Sequence, residues 1–101
     1  MANRLDLQTK LEEVLGSRNV YFNPPDSVKM NYDAIRYRRR RIHNRFANNS
    51  VYKQDDSYEV IAIYRDADSD LPRKLSMLPR CSHDRHYVAN NLYHDVFVLY
   101  W

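Results

Sequence analysis

The chain of 101 residues is long enough for one domain with a packed core, and its formal net charge is only +3. A single glycine excludes the glycine-rich phosphate loops of nucleotide-dependent enzymes, and a single cysteine excludes an internal disulfide. No apolar run approaches the roughly 20 residues that span a bilayer, and the polar N-terminal stretch predicts no signal peptide. We therefore expect an intracellular protein without a membrane partner or a cofactor.

The first predicted element is a helix over residues 3–15. Four apolar residues recur at helical spacing and form one stripe: Leu7, Leu11, Val14 and Leu15. Asn3 is placed to cap the start of this helix, and Gly16 is placed to end it. A short strand over Val20–Phe22 follows, and the prolines at 24–25 stop it because proline cannot donate to a strand ladder.

Residues 32–64 are predicted to form a long antiparallel hairpin. In its first strand Ile35 and Tyr37 face one side, and the other side carries Ala34, Arg36, Arg38 and Arg40. This strand is predicted over 32–41, and the turn-prone Asn48, Asn49 and Ser50 follow it, so the tip is predicted near residues 43–51. The returning strand centres on residues 58–64, which are apolar on both faces, and this pattern predicts a central strand.

An acidic turn, residues 66–70, leads into a second predicted helix that has Pro72 in its first turn and ends at Pro79. Its apolar stripe consists of Leu71, Leu75 and Leu78. Asp66, Asp68 and Asp70 resemble half of a calcium loop. They lack the glycine and the distal glutamate of an EF-hand, so we interpret them as turn and capping residues.

The last predicted elements are two strands joined by a turn at residues 89–91. In the final strand one face carries Val96, Val98 and Tyr100, and the other carries Phe97, Leu99 and Trp101. A strand that is apolar on both faces needs cover on both sides, from a sheet, a helix or another subunit. Something must also hold the last residues in place, because chain ends normally fray.

This element order predicts one α+β domain over residues 1–101. We expect a mostly antiparallel sheet of about four to five strands with two helices packed on one face. The long hairpin at 32–64 is the part that we expect to project toward a neighbouring subunit.

Cysteine and histidine at short spacing in the last strands suggest a zinc site: Cys81, His83, His86 and His94. Strand alternation argues against it, because Cys81 and His83 then share one face and His86 points to the other. There is also no second cysteine. The sequence therefore predicts no metal, and these residues are interpreted as polar members of a half-buried strand.

An acid–base cluster is the second candidate, because five polar residues can meet across the last hairpin: Asp84, Arg85, His86, His94 and Asp95. A His–Asp pair is a possible general base. Cys81 and Ser82 are the only nucleophiles nearby, and such clusters more often form structural hydrogen-bond networks. The prediction is that the protein is not an enzyme.

A run of arginines with Tyr32 and Tyr37 interleaved is the third candidate: Arg36, Arg38, Arg39, Arg40, Arg41 and Arg45. Alternating arginines on a strand can neutralise phosphates of nucleic acid. They can also pair with carboxylates of a neighbouring subunit, such as Asp55, Asp56 or Asp66, or solvate an edge strand. The three interpretations stay open, and Tyr100 and Trp101 are further candidate interface residues.

Four motifs are spread along the chain: Val-Tyr-Phe-x-Pro-Pro at 20–25, Arg-Asp-x-Asp-Ser at 65–69, Asp-Arg-His-Tyr at 84–87 and Asn-Leu-x-His-Asp-Val at 91–96. Through these motifs the sequence resembles small neck and tail-completion proteins of long-tailed bacteriophages. The likeness covers most of the chain and is weakest at 33–57, which is richer in arginine than the family pattern.

The resemblance implies a virion structural protein of the tail-terminator type and no enzymatic activity. Such proteins form a ring, commonly a hexamer, that ends polymerisation of the tail tube and receives the filled head. The implied partners are further copies of the chain, the tail-tube protein, a head-closure or connector protein, and DNA that passes through the lumen without sequence specificity. The implied location is the host cytoplasm during assembly and then the virion. The alternatives are a head-closure or head–tail adaptor protein, and a small nucleic-acid-binding module that uses the strand at 36–41.

Overall fold

A computed structural model describes residues 4–25, 29–47 and 50–101, with side chains described outside 43–55. The described residues form seven helices and strands, in this order: α1 (Arg4–Leu15), β1 (Val20–Phe22), β2 (Ala34–Ala47), β3 (Ser50–Tyr64), α2 (Leu71–Ser76), β4 (Cys81–Ala89) and β5 (Leu92–Tyr100). Neither described helix has the length and apolar character needed to cross a bilayer.

The five strands form one sheet in the order β1-β2-β3-β5-β4. β1 runs parallel to β2, and the other neighbouring strands are antiparallel. Both helices contact the same face of the sheet, α1 over β1 and β2, and α2 over β3, β4 and β5. The predicted α+β class, with two helices on one face of a mostly antiparallel sheet, is confirmed.

β3 lies in the middle of the sheet, as its two-sided apolar pattern predicted. The side chains that face the helices are Tyr58, Val60, Ala62 and Tyr64. On the opposite face Ile61 and Ile63 form a smaller cluster with Val96, and Met30, Tyr32, Tyr87 and Leu92 pack against it. β3 therefore contributes to two apolar cores at once.

The helix α1 docks through its predicted stripe, in which Leu7 and Leu11 are fully buried. Gln8 also connects the helix to the sheet, because its side chain accepts a hydrogen bond from the Tyr37 hydroxyl at 2.5 Å and donates one to the Val20 carbonyl at 3.1 Å. Gly16 ends the helix at φ +82°, a conformation that glycine adopts without steric cost. The predicted cap, Asn3, lies outside the described residues.

The hairpin differs from its prediction near the tip. The first strand was predicted to end at Arg41, but β2 continues to Ala47 and pairs with β3 from Ile42↔Asp56 to Ala47↔Ser50. The β-propensity of Ile42 and Phe46 favours this extension. Only the predicted tip residues 48–49 lie outside the described chain.

Residues 42–47 and 50–56, here called the arm, pair with no other strand that the structure describes. At the rise of an extended strand the arm reaches about 20 Å past the sheet. The chain measures 51 × 27 × 23 Å along its principal axes, which agrees with a projecting element.

The last strand is covered mainly by its own chain. Val96, Phe97 and Leu99 are fully buried, and the backbone N–H of Trp101 donates to the Asp56 carbonyl at 3.0 Å. The N–H of Tyr100 donates to the Arg80 carbonyl at 3.1 Å. The expectation that the strand needs cover and an anchor is therefore met without another subunit, because the sheet and α2 cover the strand and the carbonyls of Asp56 and Arg80 anchor its end.

Asn90 and Asn91 form the predicted turn between β4 and β5, with φ values of +53° and +62°. Two successive residues at positive φ in a two-residue loop define a type I′ turn, whose twist matches that of the strands. Asparagine tolerates this conformation better than most residues, but glycine suits it best.

Replacing Asn91 by Gly should therefore raise the free energy of unfolding by a few tenths of a kcal/mol, whereas Asn91→Val should lower it by about 1–2 kcal/mol. Urea unfolding followed by circular dichroism measures both changes. Equal effects of Gly and Val would show that the backbone conformation at residue 91 does not limit stability.

Candidate functional site

The strand β4 contains a β-bulge between His83 and Arg85 that changes the face of every residue after it. Strand alternation predicted that His83 and His86 point to opposite faces, and this is wrong. The extra residue, Asp84, shifts the register by one, so both histidines lie on the helix side of the sheet and reach the same residue of β5.

That residue is Asp95, whose side chain is only 7% exposed. Its Oδ1 lies 2.9 Å from Nε2 of His83 and 3.0 Å from Nδ1 of His86, and its Oδ2 accepts a hydrogen bond from the Tyr64 hydroxyl. An ionised carboxylate is acceptor-only, so both ring nitrogens carry hydrogens and donate. Asp95, Tyr64, His83 and His86 are called the Asp95 network below.

Burial alone would raise the pKa of Asp95, but the hydrogen bonds from Tyr64, His83 and His86 outweigh it and hold that pKa below its ordinary value. Burial, and then the hydrogen bond to the Asp95 carboxylate, raise the pKa of the Tyr64 hydroxyl far above its ordinary value. Asp95 is therefore ionised, and Tyr64 is a neutral donor, throughout the physiological pH range.

Aromatic rings hold the network in place. Tyr93 stacks on Tyr64 with centroids 5.5 Å apart, and His86 stacks on Tyr93 at 6.1 Å. His83 meets the Phe97 ring edge-on at 5.1 Å. The two imidazoles are nevertheless 45% and 46% exposed, so this is a buried carboxylate with two half-exposed histidines at its rim.

This arrangement orients an imidazole as a general base requires, because His86 donates from Nδ1 and keeps Nε2 for another partner. The nucleophiles considered from the sequence do not complete a catalytic site. Burial raises the pKa of the Cys81 thiol to about 11, and Ser82 pairs with Val98 on the opposite face. Within the described ranges, no group of three or more Cys, His, Asp or Glu side chains is placed to hold a metal ion.

The other predicted members of the acid–base cluster lie apart from the network. Arg85 pairs with Asp84 at 2.7 Å on the exposed strand. His94 is buried on the opposite face, stacks on Tyr87 at 4.6 Å and donates from Nδ1 to the Leu92 carbonyl at 3.1 Å. Only the pair of His86 and Asp95 forms as predicted.

A second bulge, between Arg39 and Arg41, divides the arginine run between the two faces of β2. Directly paired residues of neighbouring strands point to the same side. Arg38 pairs with Glu59, and Arg41 pairs with Ser57, so both lie opposite the helices with Arg36. Arg41 thus takes the position predicted for Arg40, which is the extra residue of the bulge.

The remaining candidate interface residues lie in three places. Arg39 is on the helix side, 5.9 Å above the Tyr58 ring. The side chain of Arg45, on the arm, lies outside the described residues. Tyr100 faces away from the helices beneath the Arg80 guanidinium, 5.5 Å from its ring centre, whereas Trp101 packs half-buried against the helix-side core.

Two of the arginines already have acidic partners within the chain. Arg38 bonds to Glu59 at 3.3 Å, and Arg39 bonds to Asp56 at 3.3 Å. Asp56 was a predicted partner for an arginine of a neighbouring subunit, but here it forms an ion pair with Arg39 of its own chain. Asp66 forms the turn before α2, where its carboxylate accepts from the Asp68 N–H at 2.9 Å.

Comparison with known proteins gave no relatives: no protein-family model, curated protein or solved structure matches this chain.

Replacing Asp95 by Asn should lower the free energy of unfolding by about 1–3 kcal/mol at pH 7, because the amide nitrogen faces groups that are themselves donors. The folded-state pKa of Asp95 is depressed, so its contribution is complete above the unfolded pKa of about 3.9 and is lost as the pH falls through the folded value. The difference in the free energy of unfolding between the wild type and Asp95→Asn should therefore be smaller at pH 3 than at pH 7, and urea titrations at the two pH values measure it.

Asp84→Asn is the matched control, because Asp84 is an exposed carboxylate of the same strand whose ion pair goes to Arg85 alone among the described residues. Asp84→Asn should lower the free energy of unfolding by less than about 0.5 kcal/mol at both pH values. Equal costs for the two variants would mean that the Asp95 network does not stabilise the fold.

His94 should make stability depend on pH between about 5 and 7. Its pKa is lowered, first by burial and then by Arg36 and His86, against the opposing effects of the Leu92 carbonyl and Asp95. The unfolded chain therefore binds a proton more readily, and stability is complete above the unfolded pKa of about 6.5 and declines below it.

His94→Phe keeps a ring against Tyr87 and removes the titration, so the variant should gain stability relative to the wild type as the pH falls from about 7.5 to 5. Tyr87→Phe keeps both the stack and the titration, and its difference from the wild type should stay constant. Thermal unfolding across this range distinguishes them, and a constant difference for His94→Phe would contradict the assignment.

Proposed function

We propose that this protein is a subunit of a closed homo-oligomeric ring in the neck of a long-tailed bacteriophage, of the type that ends tail-tube polymerisation and receives the head. The phage assignment is supported by the sequence resemblance at residues 20–25, 65–69, 84–87 and 91–96. The ring is supported by the geometry of the sheet.

One observation carries the ring proposal: the described sheet has two unlike free edges. At one end β1 pairs only with Ile35–Tyr37 of β2, so the outer side of β2 is unpaired from Arg38 onward among the described residues. At the other end the outer side of β4, Cys81–Ala89, has no described partner. Unpaired edges are templates for pairing with another chain.

When the β2 edge of one subunit pairs with the β4 edge of the next, the two subunits make a head-to-tail contact. Such heterologous contacts generate rings when the rotation between subunits closes. The arm extends the β2 edge by about 20 Å, which gives a neighbour a long strand to pair with. The exposed Ile42 at the base of the arm, 51% accessible, supplies apolar surface at the same place.

Light scattering coupled to size-exclusion chromatography tests the proposal directly. We expect a ring, either of the isolated protein or after addition of the tail-tube protein. A chain that stays monomeric under both conditions would contradict the proposed function. A tail-tube gene immediately downstream in the genome would be the independent support for the phage assignment.

Val88 allows a sharper test of the β4 edge. The two-residue turn makes Ala89↔Leu92 a hydrogen-bonded pair, so the N–H of Val88, one residue earlier, points away from β5 to the free edge. Val88→Pro removes that donor without removing a bond of the sheet, and its side chain is already 60% exposed.

We expect Val88→Pro to fold with unchanged circular dichroism and to lose oligomerisation, whereas the matched control Val88→Thr keeps the N–H and assembles. Rings that form normally from a folded Val88→Pro protein would exclude β4 as the contacting edge and leave the arm as the site of contact.

A further inference from the structure

The face of the sheet opposite the two helices carries four arginines and a tyrosine. These residues, here called the arginine face, are Arg36, Arg38, Arg41, Arg85 and Tyr100. Their common side follows from register, because directly paired residues point the same way. Arg36, Ile61, Val96 and Arg85 form one continuous row across four strands.

Two carboxylates reduce the charge of this face. Glu59 bonds to Arg38 at 3.3 Å, and Asp84 bonds to Arg85 at 2.7 Å. Arg36 and Arg41 make no ion pair with any side chain in the described ranges. They lie on the same strand as Arg38, and the Cα atoms of the three arginines follow one another along one face of β2 at the spacing of alternate strand residues, roughly 7 Å.

Tyr100 gives one end of the face an aromatic ring. It pairs with Ser57 in the same row as Arg41, and the Arg80 guanidinium lies 5.5 Å from its ring centre. The arginines on this sheet surface supply cations for phosphates, and the half-buried tyrosine beside them supplies a ring on which a base can stack.

We propose that the arginine face binds the sugar-phosphate backbone of nucleic acid without sequence preference. Regularly spaced cations fit a ligand whose negative charges also repeat, and a nucleic-acid strand has this property. A folded acidic protein would present carboxylates at irregular positions. The proposal concerns the face of a single chain and does not depend on ring formation.

Fluorescence anisotropy with a labelled single strand and with a labelled duplex, measured over a series of salt concentrations, tests the proposal. The wild type should bind at low salt, with log K falling linearly with log salt concentration. Arg36→Gln combined with Arg41→Gln should lower the magnitude of this slope by about 1.5–2, the change expected for two lost phosphate contacts.

The matched control is Arg65→Gln combined with Arg73→Gln, which removes the same charge from two exposed arginines that lie outside the sheet. Its slope should stay close to that of the wild type. Glu59→Gln should release Arg38 and raise affinity by about two- to five-fold, a gain that general loss of folding cannot produce.

Three results would overturn the proposal. The first is no binding of either nucleic acid at low salt. The second is an equal loss of slope in the two double variants, which would mean attraction by net charge alone. The third is displacement of the nucleic acid by poly-glutamate at an equal charge concentration, which would make the face a dock for acidic protein. If the Val88→Pro protein binds nucleic acid as strongly as the wild type, the arginine face acts without the ring. This result would hold even if the proposed function were wrong.

Discussion

The two-sided burial of β3 is the constraint on which the rest of the structure depends. A strand that presents apolar side chains to both faces of a sheet is stable only where both faces are covered and both edges are paired. β2 and β5 pair with its edges, α1 and α2 cover one face, and the segment before β2 covers part of the other through Met30 and Tyr32. With β3 in the middle, β4 and the part of β2 beyond its pairing with β1 become the unpaired edges of the described sheet.

The buried carboxylate of Asp95 and the bulge in β4 depend on each other. Burial of an ionised carboxylate is costly unless several donors reach it. Tyr64 supplies one donor from β3, but β4 can supply two only because the bulge returns His86 to the face of His83. The same bulge bends and twists the edge strand. A single extra residue therefore satisfies the carboxylate and also shapes the surface that a neighbouring chain would meet.

Sequence periodicity predicted the elements whose burial follows a regular pattern. The buried leucines of α1, the central position of β3 and the turn at Asn90 were confirmed, because each depends on local spacing. Leu71, Leu75 and Leu78 are buried as predicted, but α2 ends at Ser76 and not at Pro79. The candidate sites were predicted less well. A bulge adds one residue within a polar run, where no apolar pattern is interrupted, so the faces of the residues after Asp84 and Arg40 could not be read from alternation.

The same limitation explains what the sequence missed in the network. Tyr64 was predicted as a buried strand residue, and nothing in the sequence indicated that its hydroxyl bonds to Asp95 across the β3–β5 pair. The zinc hypothesis was set aside because His83 and His86 were placed on opposite faces. They share a face, but their ring nitrogens are directed at one carboxylate, which uses them as hydrogen-bond donors.

The proposed ring and the arginine face are connected by the shape of the subunit. If neighbouring sheets pair edge to edge around a closed ring, each subunit must be wider on its outer side than on its inner side. The helix layer adds width to one face of the sheet, and the opposite face carries side chains and the short segment 29–33 among the described residues. In the proposed ring the helices would therefore lie on the outside, and closure would turn Arg36, Arg38 and Arg41 toward the axis. A polyanion on that axis would meet the same row from every subunit.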